Sequence, residues 1–246
     1  MTANLRTATA PPFNHHIVRF GAVSALISGV AFFLTTIYIL VIMPGTGWTF
    51  DMFDDPVLLF TWLVDNVLVH TGMWLLFFCT QAFLLPVPFA VHTRFRDQSG
   101  ALPAFVSLGG VFGTVSVILT LIGPIALLIT APYLAQTYAE TASADQQATT
   151  IILHNVVANL GMELRLFGEI FLGLWLCIAS FALIRLLGAK WLGGCSLLIG
   201  LYTILVAIIK IIDNLSALED SLGLFLAIAY VLLGVGLLRT NQTQEG

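Results

Sequence analysis

Charged side chains are scarce in this chain of 246 residues: only 9% are Asp, Glu, Lys or Arg, whereas 59% are hydrophobic. A soluble domain carries about 25% charged residues, which it needs to cover its surface. A surface with so few charges is suited to lipid, so the composition predicts an integral membrane protein. The net charge of -4 and the lack of a basic cluster argue against nucleic acid as a partner.

Cysteine is also scarce, and its three occurrences fall in separate apolar segments, at Cys79, Cys177 and Cys195. This pattern argues against a disulfide framework and against a zinc site with CxxC spacing. The sequence also lacks the GxSxG, HExxH and glycine-rich phosphate-binding motifs, as well as any soluble domain that could hold a nucleotide. We therefore expect no cofactor and no metal, and the sequence assigns no catalytic residue.

What the chain has in abundance is long apolar segments. Six of them approach the roughly 20 residues that a helix needs to cross a bilayer, at about residues 20–43, 67–91, 102–130, 166–184, 191–209 and 222–238. Only helices satisfy their own backbone hydrogen bonds in lipid without a closed barrel. The sequence therefore predicts an all-α bundle of six transmembrane helices over residues 20–239, with tails at residues 1–19 and 240–246.

The basic residues predict how the bundle is oriented. Seven of the nine fall at the same end of the spans: Arg6, Arg19, Arg94, Arg96, Arg185, Lys190 and Arg239. Basic residues concentrate on the cytoplasmic side, so both termini are predicted inside. The opposite end has an acidic, aromatic connection at residues 44–56 and a long polar one at residues 132–150. Residues 57–66 and 150–164 are predicted to extend the second and fourth helices beyond the membrane.

Proline and internal similarity give two weaker predictions. Pro86 and Pro88 in the second span and Gly123-Pro124 in the third predict bends, which some transporters use at binding sites. Residues 65–73 (DNVLVHTGM) align without a gap with residues 154–162 (HNVVANLGM), and SALISGV, SLGGV and SLLIGL recur in the odd-numbered spans. These similarities predict a repeated helical hairpin, although short apolar segments also match by chance.

The run FLGLWLCIASFALIRLLGAKWLGGCSLLIGLYTIL resembles a motif of a family of bacterial six-helix integral membrane proteins of unknown function. The shared features are Gly173, Arg185, the pair Leu192-Gly193 and Gly200, while Ala189-Lys190 stands where the family often has proline. The resemblance implies a six-helix fold in a bacterial-type inner membrane. It implies no activity and no site residues.

Polar residues within or beside the spans are the candidates for function, because ionisable groups are costly in hydrocarbon. Helical spacing puts them on one face of each of three spans. We expect these faces to enclose a polar pocket that is open to the outside. Arg165 would pair with Glu169 or Asp213, and Lys210 with Asp65 or Asp213. The candidate ligand-binding or ion-pairing residues are Asp65, His70, Gln81, His154, Glu163, Arg165, Glu169, Lys210 and Asp213.

Two function classes remain open on these residues. In the first, the pocket binds or transports a small polar ligand, an ion or a proton. In the second, the charged layer only fixes helix register in a structural or accessory protein, which docks a membrane-protein partner or a second copy of itself. An intramembrane enzyme that uses Glu169 or Glu163 as a general acid–base is a third alternative. Haem or metal would need facing histidines, whereas the repeat puts His70 a turn deeper than His154. Lipids are the expected surroundings in every case.

Overall fold

A computed structural model describes residues 12–96, 102–187, 190–213 and 219–242 of the protein. These residues form seven α-helices: α1 (Pro12–Ile37), α2 (Pro56–Leu84), α3 (Pro86–Arg96), α4 (Leu102–Glu140), α5 (Ala144–Leu187), α6 (Lys190–Asp213) and α7 (Glu219–Gln242). No β-strand occurs in these ranges. Six segments are long and apolar enough to cross a membrane, with α2 and α3 together forming one of them. The prediction of an all-α bundle with six membrane-spanning segments is confirmed.

The spans close into a ring. Neighbours around the ring follow the order α1, α2, α4, α5, α6 and α7, and α7 packs against α1. The short helix α3 packs between α1 and α4. We call the end of the bundle where α1 starts and α7 ends proximal, and the opposite end distal. The ring order matters for the site, because it decides which polar faces can meet.

The polar connection predicted at residues 132–150 is almost entirely helical. α4 continues through Pro132 to Glu140, and α5 begins at Ala144, so the connection itself comprises only residues 141–143. Ala and Gln, which are strong helix formers, are frequent here. α5 has 44 residues, which corresponds to a length of ~66 Å, against a hydrocarbon core of about 30 Å. The α4–α5 hairpin is therefore too long to lie wholly within the core.

The chain between α1 and α2 is compact and irregular. A π-helical turn (Tyr38–Ile42) ends α1, and two 3₁₀ turns follow (Pro44–Thr46 and Phe50–Phe53). The carboxylate of Asp55 then caps α2 by accepting from the backbone N–H groups of Val57 (2.9 Å) and Leu58 (3.2 Å). Residues 57–66 belong to α2, in agreement with the predicted helical extension.

α2 is interrupted twice, and only one interruption was predicted. The helix ends at Leu84 and α3 starts at Pro86, as proline at this position predicts. The other interruption is at Asn66, whose backbone is non-helical (φ -124, ψ 28). The Asn66 side-chain amide donates to the Trp62 carbonyl (2.9 Å), one turn earlier in the helix. No proline or glycine marks this kink in the sequence.

Buried apolar side chains form two separate clusters. The proximal cluster draws on all seven helices and includes Leu84, Trp175, Leu183, Tyr230 and Leu233. The distal cluster consists of Met43, Trp48, Leu59, Phe60, Trp62, Leu63, Met73, Ala131, Leu134 and Ala135. Phe77 on α2 packs against both clusters. The boundary between the two clusters lies in the interior of the bundle, near the phenyl ring of Phe77.

Glycine allows the closest helix contacts. A Cβ atom built on Gly123 of α4 would lie 2.8 Å from the carbonyl oxygen of Gly161 on α5, so the two backbones touch. A Cβ on Gly173 of α5 would similarly lie 2.7 Å from the carbonyl oxygen of Gly200 on α6. Membrane helices use small residues in this way to bring their backbones together. These contacts fix α5 between α4 and α6.

The predicted internal repeat is not matched by similar local structure. Asn66 lies at the kink in α2, whereas the aligned Asn155 lies in continuous helix. Asp65 is exposed, whereas the aligned His154 is buried. The repeat therefore stays a prediction from the sequence.

Candidate functional site

An ion pair lies in the interior of the bundle, on α5. Arg165 Nε donates to Glu169 Oε1 at 2.9 Å, across one helical turn. The Arg165 side chain is 28% exposed and that of Glu169 only 5%, so the carboxylate is the more deeply buried partner. The predicted pairing of Arg165 with Glu169 is confirmed. The spacing of four residues made this pair readable from the sequence.

Aromatic rings from three other helices continue from this pair around the interior. The Arg165 guanidinium carbon lies 6.0 Å from the centre of the Phe77 ring on α2. Phe77 contacts Phe32 of α1 edge-on, with ring centres 6.0 Å apart, and Phe32 contacts Tyr230 of α7 at 6.3 Å. Tyr230 lies close enough to Glu169 for electrostatic interaction. Four helices thus contribute one closed circuit of side chains.

Two polar atoms in this circuit lack hydrogen-bond partners among the described residues: Glu169 Oε2 and the Tyr230 hydroxyl oxygen. Both side chains are buried, with 4% and 0% exposure. A buried polar atom without a partner is costly, and such atoms are uncommon in native structures. Oε2 can accept a proton or a hydrogen bond from a solute, and the hydroxyl can donate or accept one. A proton or a solute can therefore bind at these two atoms.

Two histidines form a second polar group on the distal side of the circuit. His70 on α2 and His154 on α5 are both buried and lie close enough for electrostatic interaction. Trp74 Nε1 donates to His70 Nε2 (2.8 Å), so a neutral His70 ring carries its proton on Nδ1. Within the part of the chain that the structure describes, neither Nδ1 atom has a hydrogen-bond partner.

The two histidines are closer together than the predicted repeat implied. They were expected a helical turn apart in depth, yet they lie within electrostatic reach of each other. The ring of Phe60 contacts His154 edge-on, with centres 5.0 Å apart, and covers it from the α2 side. No group of three or more His, Cys, Asp or Glu side chains suited to a metal ion occurs in the described ranges.

The remaining candidates lie apart from these two groups. Gln81 is buried and accepts a hydrogen bond from Thr120 (3.1 Å), which links α2 to α4. Asp65 and Glu163 are exposed. Lys210 is half-buried near the distal end of α6, and the side chain of Asp213 lies outside the described residues.

The ring order separates two of the three polar faces that were expected to meet. α2 packs against α1 and α4, whereas α6 packs against α5 and α7. The faces of α2 and α5 do meet, at Phe77 and Arg165, because α5 reaches across the ring interior. α2 and α6 are not neighbours in the ring, and the pairing of Asp65 with Lys210 stays a prediction.

A cavity at the proximal end is distinct from the predicted polar pocket. It has a volume of about 440 Å³, opens to the surface at the proximal end between α1, α2 and α3, and is almost entirely apolar. It is lined by Phe20, Ser24, Ala82, Phe83, Leu85, Pro86 and Phe89. A groove of this kind on a membrane protein faces lipid. The polar pocket at the distal end stays a prediction.

Tyr230 and Phe60 belong to the site but were not among the predicted residues. A tyrosine inside an apolar span needs a partner for its hydroxyl when it is buried, so Tyr230 carries the same signal as Glu169. Phe60 carries no such signal, because a phenylalanine near a span is ordinary. Its position over His154 depends on how the chain folds between α1 and α2.

Comparison with known proteins adds no relative: no protein-family model matches the chain, and neither a curated protein nor a solved structure matches it. The resemblance of the segment around α5 and α6 to a bacterial six-helix family therefore stays a prediction.

Proposed function

We propose that the protein binds and transports a small polar solute or an ion, and that protonation of Glu169 is coupled to binding. The observation that carries this proposal is the buried carboxylate of Glu169, which uses one oxygen for Arg165 and leaves the other without a partner among the described residues. An ionisable group inside a membrane bundle is costly to keep. Exchange of a proton or binding of a solute at Glu169 would explain why this costly group is present.

The chemistry follows from the pair itself. With Glu169 ionised, its charge compensates that of Arg165 over the 2.9 Å contact. A proton on Oε2 cancels the carboxylate charge and removes its compensation of the guanidinium charge, which favours entry of a group with negative charge or a strong acceptor. Loss of the proton restores the ion pair and weakens the hold on that group. Binding of proton and solute is then thermodynamically linked.

The expected orientation places the distal end outside. The basic residues Arg19, Arg94 and Arg185 lie at the proximal ends of α1, α3 and α5, and the positive-inside rule makes that end cytoplasmic. We propose a bacterial-type inner membrane as the location, on the basis of the family resemblance. Solute would then reach the Arg165–Glu169 pair from outside by way of His154 and His70.

A structural or accessory role is the second candidate, and one observation favours it. Arg165 and Glu169 pair within a single helix, at the i, i+4 spacing that also stabilises helices without any ligand. In that role the ion pair would only fix the packing of α5 against α2 and α7. The two candidates differ in whether Glu169 changes its protonation state under physiological conditions.

The test is the melting temperature of the purified protein in lipid nanodiscs between pH 5 and pH 9, for wild type and Glu169→Gln. The Gln side chain mimics the protonated carboxyl. If the folded protein keeps a proton on Glu169 at the low end of this range, as the proposal requires, it holds that proton more tightly than the unfolded chain does. Wild type should then match Glu169→Gln at low pH and become less stable than Glu169→Gln as the pH rises. The two melting temperatures should therefore converge near pH 5 and diverge above it.

Glu163→Gln is the matched control, because Glu163 lies on the same helix and is exposed. It makes the same chemical change and should leave the pH profile of wild type intact. A constant gap between Glu169→Gln and wild type at every pH would contradict the proposal and favour the accessory role. Proton uptake by proteoliposomes, measured with an enclosed pH-sensitive dye, should also be lost in Glu169→Gln alone.

A further inference from the structure

The chain between α1 and the kink in α2 covers the two histidines. We call residues 43–65 the distal cap. Its Phe60 is fully buried, lies edge-on to the His154 ring at 5.0 Å, and packs against Tyr138 at 5.5 Å. His154 is only 4% exposed. A side chain of the distal cap therefore separates the histidine group from the distal surface.

The distal cap is held together internally. Trp62 Nε1 donates to the Thr46 carbonyl (3.1 Å), which ties the α2 limb to the limb that leaves α1. The Trp48 ring contacts Phe50 at 4.8 Å and Phe53 at 5.2 Å, both edge-on. The hydrogen bond joins the two limbs, and the ring contacts stiffen the limb that leaves α1. Together they allow the segment to move as one body.

The attachment of the distal cap to α4 and α5 is different in kind. Its buried side chains meet Ala131, Leu134 and Ala135 of α4 within the distal cluster. Among the residues described, no hydrogen bond or ion pair joins the distal cap to α4 or α5. Phe60 adds ring contacts to Tyr138 of α4 and His154 of α5, so packing alone makes this attachment. The cap can thus separate from α4 and α5 without leaving polar groups unpaired.

Irregular backbone brackets the distal cap at both ends. The π-helical turn Tyr38–Ile42 precedes it, and the non-helical Asn66 follows it. π-Helical turns occur often at functional sites, and a helix interrupted at one residue can change direction there without unfolding. The Tyr38 hydroxyl, within the first break, donates to the carbonyl of Val69 (3.0 Å), three residues past the second, and so connects the two breaks. Domain and loop hinges are built from a few residues of this kind.

We infer that the distal cap is a lid, which opens as a rigid body about Tyr38–Ile42 and Asn66 and exposes His154 and His70 to the distal solution. The hydrogen bond from Tyr38 to Val69 ties the first hinge to α2 just past the second hinge and so restrains the movement of both hinges. This inference rests on the proposed function for its purpose, since a lid serves a protein that admits a solute. The motion itself is measurable whether or not a solute is transported.

The experiment measures access to position 154. His154→Cys is made in a chain whose Cys79, Cys177 and Cys195 are replaced by alanine, and the protein in nanodiscs reacts with a charged methanethiosulfonate reagent. A closed structure protects the thiol, so its reaction reports opening. Adding Tyr38→Phe should speed the reaction by roughly two- to tenfold, the range by which loss of one hydrogen bond shifts an opening equilibrium. Tyr133→Phe is the control, because Tyr133 is 70% exposed on α4 and should leave the rate unchanged.

Hydrogen exchange of the chain with its native histidines and cysteines provides a second measurement. Backbone amides of residues 56–65 should exchange together and sooner than those of residues 125–135 in α4, and Tyr38→Phe should widen the difference. Equal labelling rates with and without Tyr38→Phe, or a thiol at position 154 that reacts only after denaturation, would overturn the lid. A lid that opens while Glu169→Gln leaves the pH profile unchanged would overturn transport instead.

Discussion

The proximal and distal clusters achieve burial in different ways. The proximal cluster is packed between regular helices, and glycines such as Gly173 and Gly200 bring helix backbones into contact. The distal cluster takes six of its ten residues from residues 43–65, where the backbone includes a π-helical turn and 3₁₀ turns. Close-packed cores are stiff, whereas segments with few attachments open at low cost. The buried polar groups lie between the rigid proximal cluster and the more adaptable distal cluster.

The sharpest test of this comparison uses one leucine from each cluster. Leu183 in the proximal cluster is 1% exposed, and Leu63 in the distal cluster is 0% exposed. Leu183→Ala should lower stability by about 2–5 kcal/mol, the usual effect of truncating a buried leucine. Leu63→Ala makes the same change but should lower the melting temperature less, because the distal cap, which carries Leu63, can separate from α4 without global unfolding.

Thermal melting and hydrogen exchange of both variants check this prediction. Leu63→Ala should speed amide exchange in residues 56–65 while leaving α7 protected. If both variants lose the same melting temperature and show the same exchange pattern, the two clusters form one cooperative unit and the comparison fails.

A smaller effect is expected at the contact between α4 and α5. A Cβ on Gly161 would lie 2.9 Å from Gly123 Cα, and neither backbone can yield without moving a helix. Gly161→Ala should therefore cost about 1–3 kcal/mol, the range for overpacking. Gly194→Ala is the control, because its Cβ would meet nothing within 4 Å, and a helical alanine in open space is neutral or stabilising.

The measurement is again the melting temperature, this time together with the proton uptake assay. A loss of stability in Gly161→Ala that equals the change in Gly194→Ala would show that α4 and α5 tolerate separation. The contact between α4 and α5 beside Arg165 and Glu169 would then be as adaptable as the distal cluster.

The smallest effect is expected at the start of α2. Asp55 caps this helix through two backbone N–H groups, and replacing such a cap by alanine costs about 0.5–2 kcal/mol. Asp55→Ala should fray the first turn of α2 and speed exchange in residues 57–60, with little change in melting temperature. Asp54→Ala removes the same charge from the neighbouring exposed position and should leave this exchange unchanged. Equal exchange rates in the two variants would show that the cap at Asp55 does not control the first turn of α2. The distal end would then be more rigid than proposed.

The number and type of helices could be predicted from sequence because lipid imposes a minimum apolar length on each span. The break before α3 could also be predicted, since Pro86 removes a backbone donor. The α4–α5 connection was predicted too long, because polar composition does not distinguish a loop from a helix that extends into water. The kink at Asn66 was not predicted, because no proline or glycine marks it; instead the Asn66 side chain donates to the Trp62 carbonyl one turn earlier.

The site divides in the same way. The pair Arg165–Glu169 lies within one helix, so its spacing alone predicted the contact. The approach of His70 to His154, and of Tyr230 to Glu169, depends on the order of helices around the ring. That order is set by which apolar and small surfaces fit together over the whole bundle, and local sequence patterns do not contain it.

The three-residue connection at 141–143 has a practical consequence. It joins two long helices that pack along their length, so the tip of the hairpin is a rigid helical turn rather than a flexible loop. A helical partner protein inserted there in continuous register with α4 and α5 would be held rigidly. A chain of 246 residues with little mass outside the bilayer would gain the feature that aligns particles in electron cryomicroscopy, at the end remote from both termini.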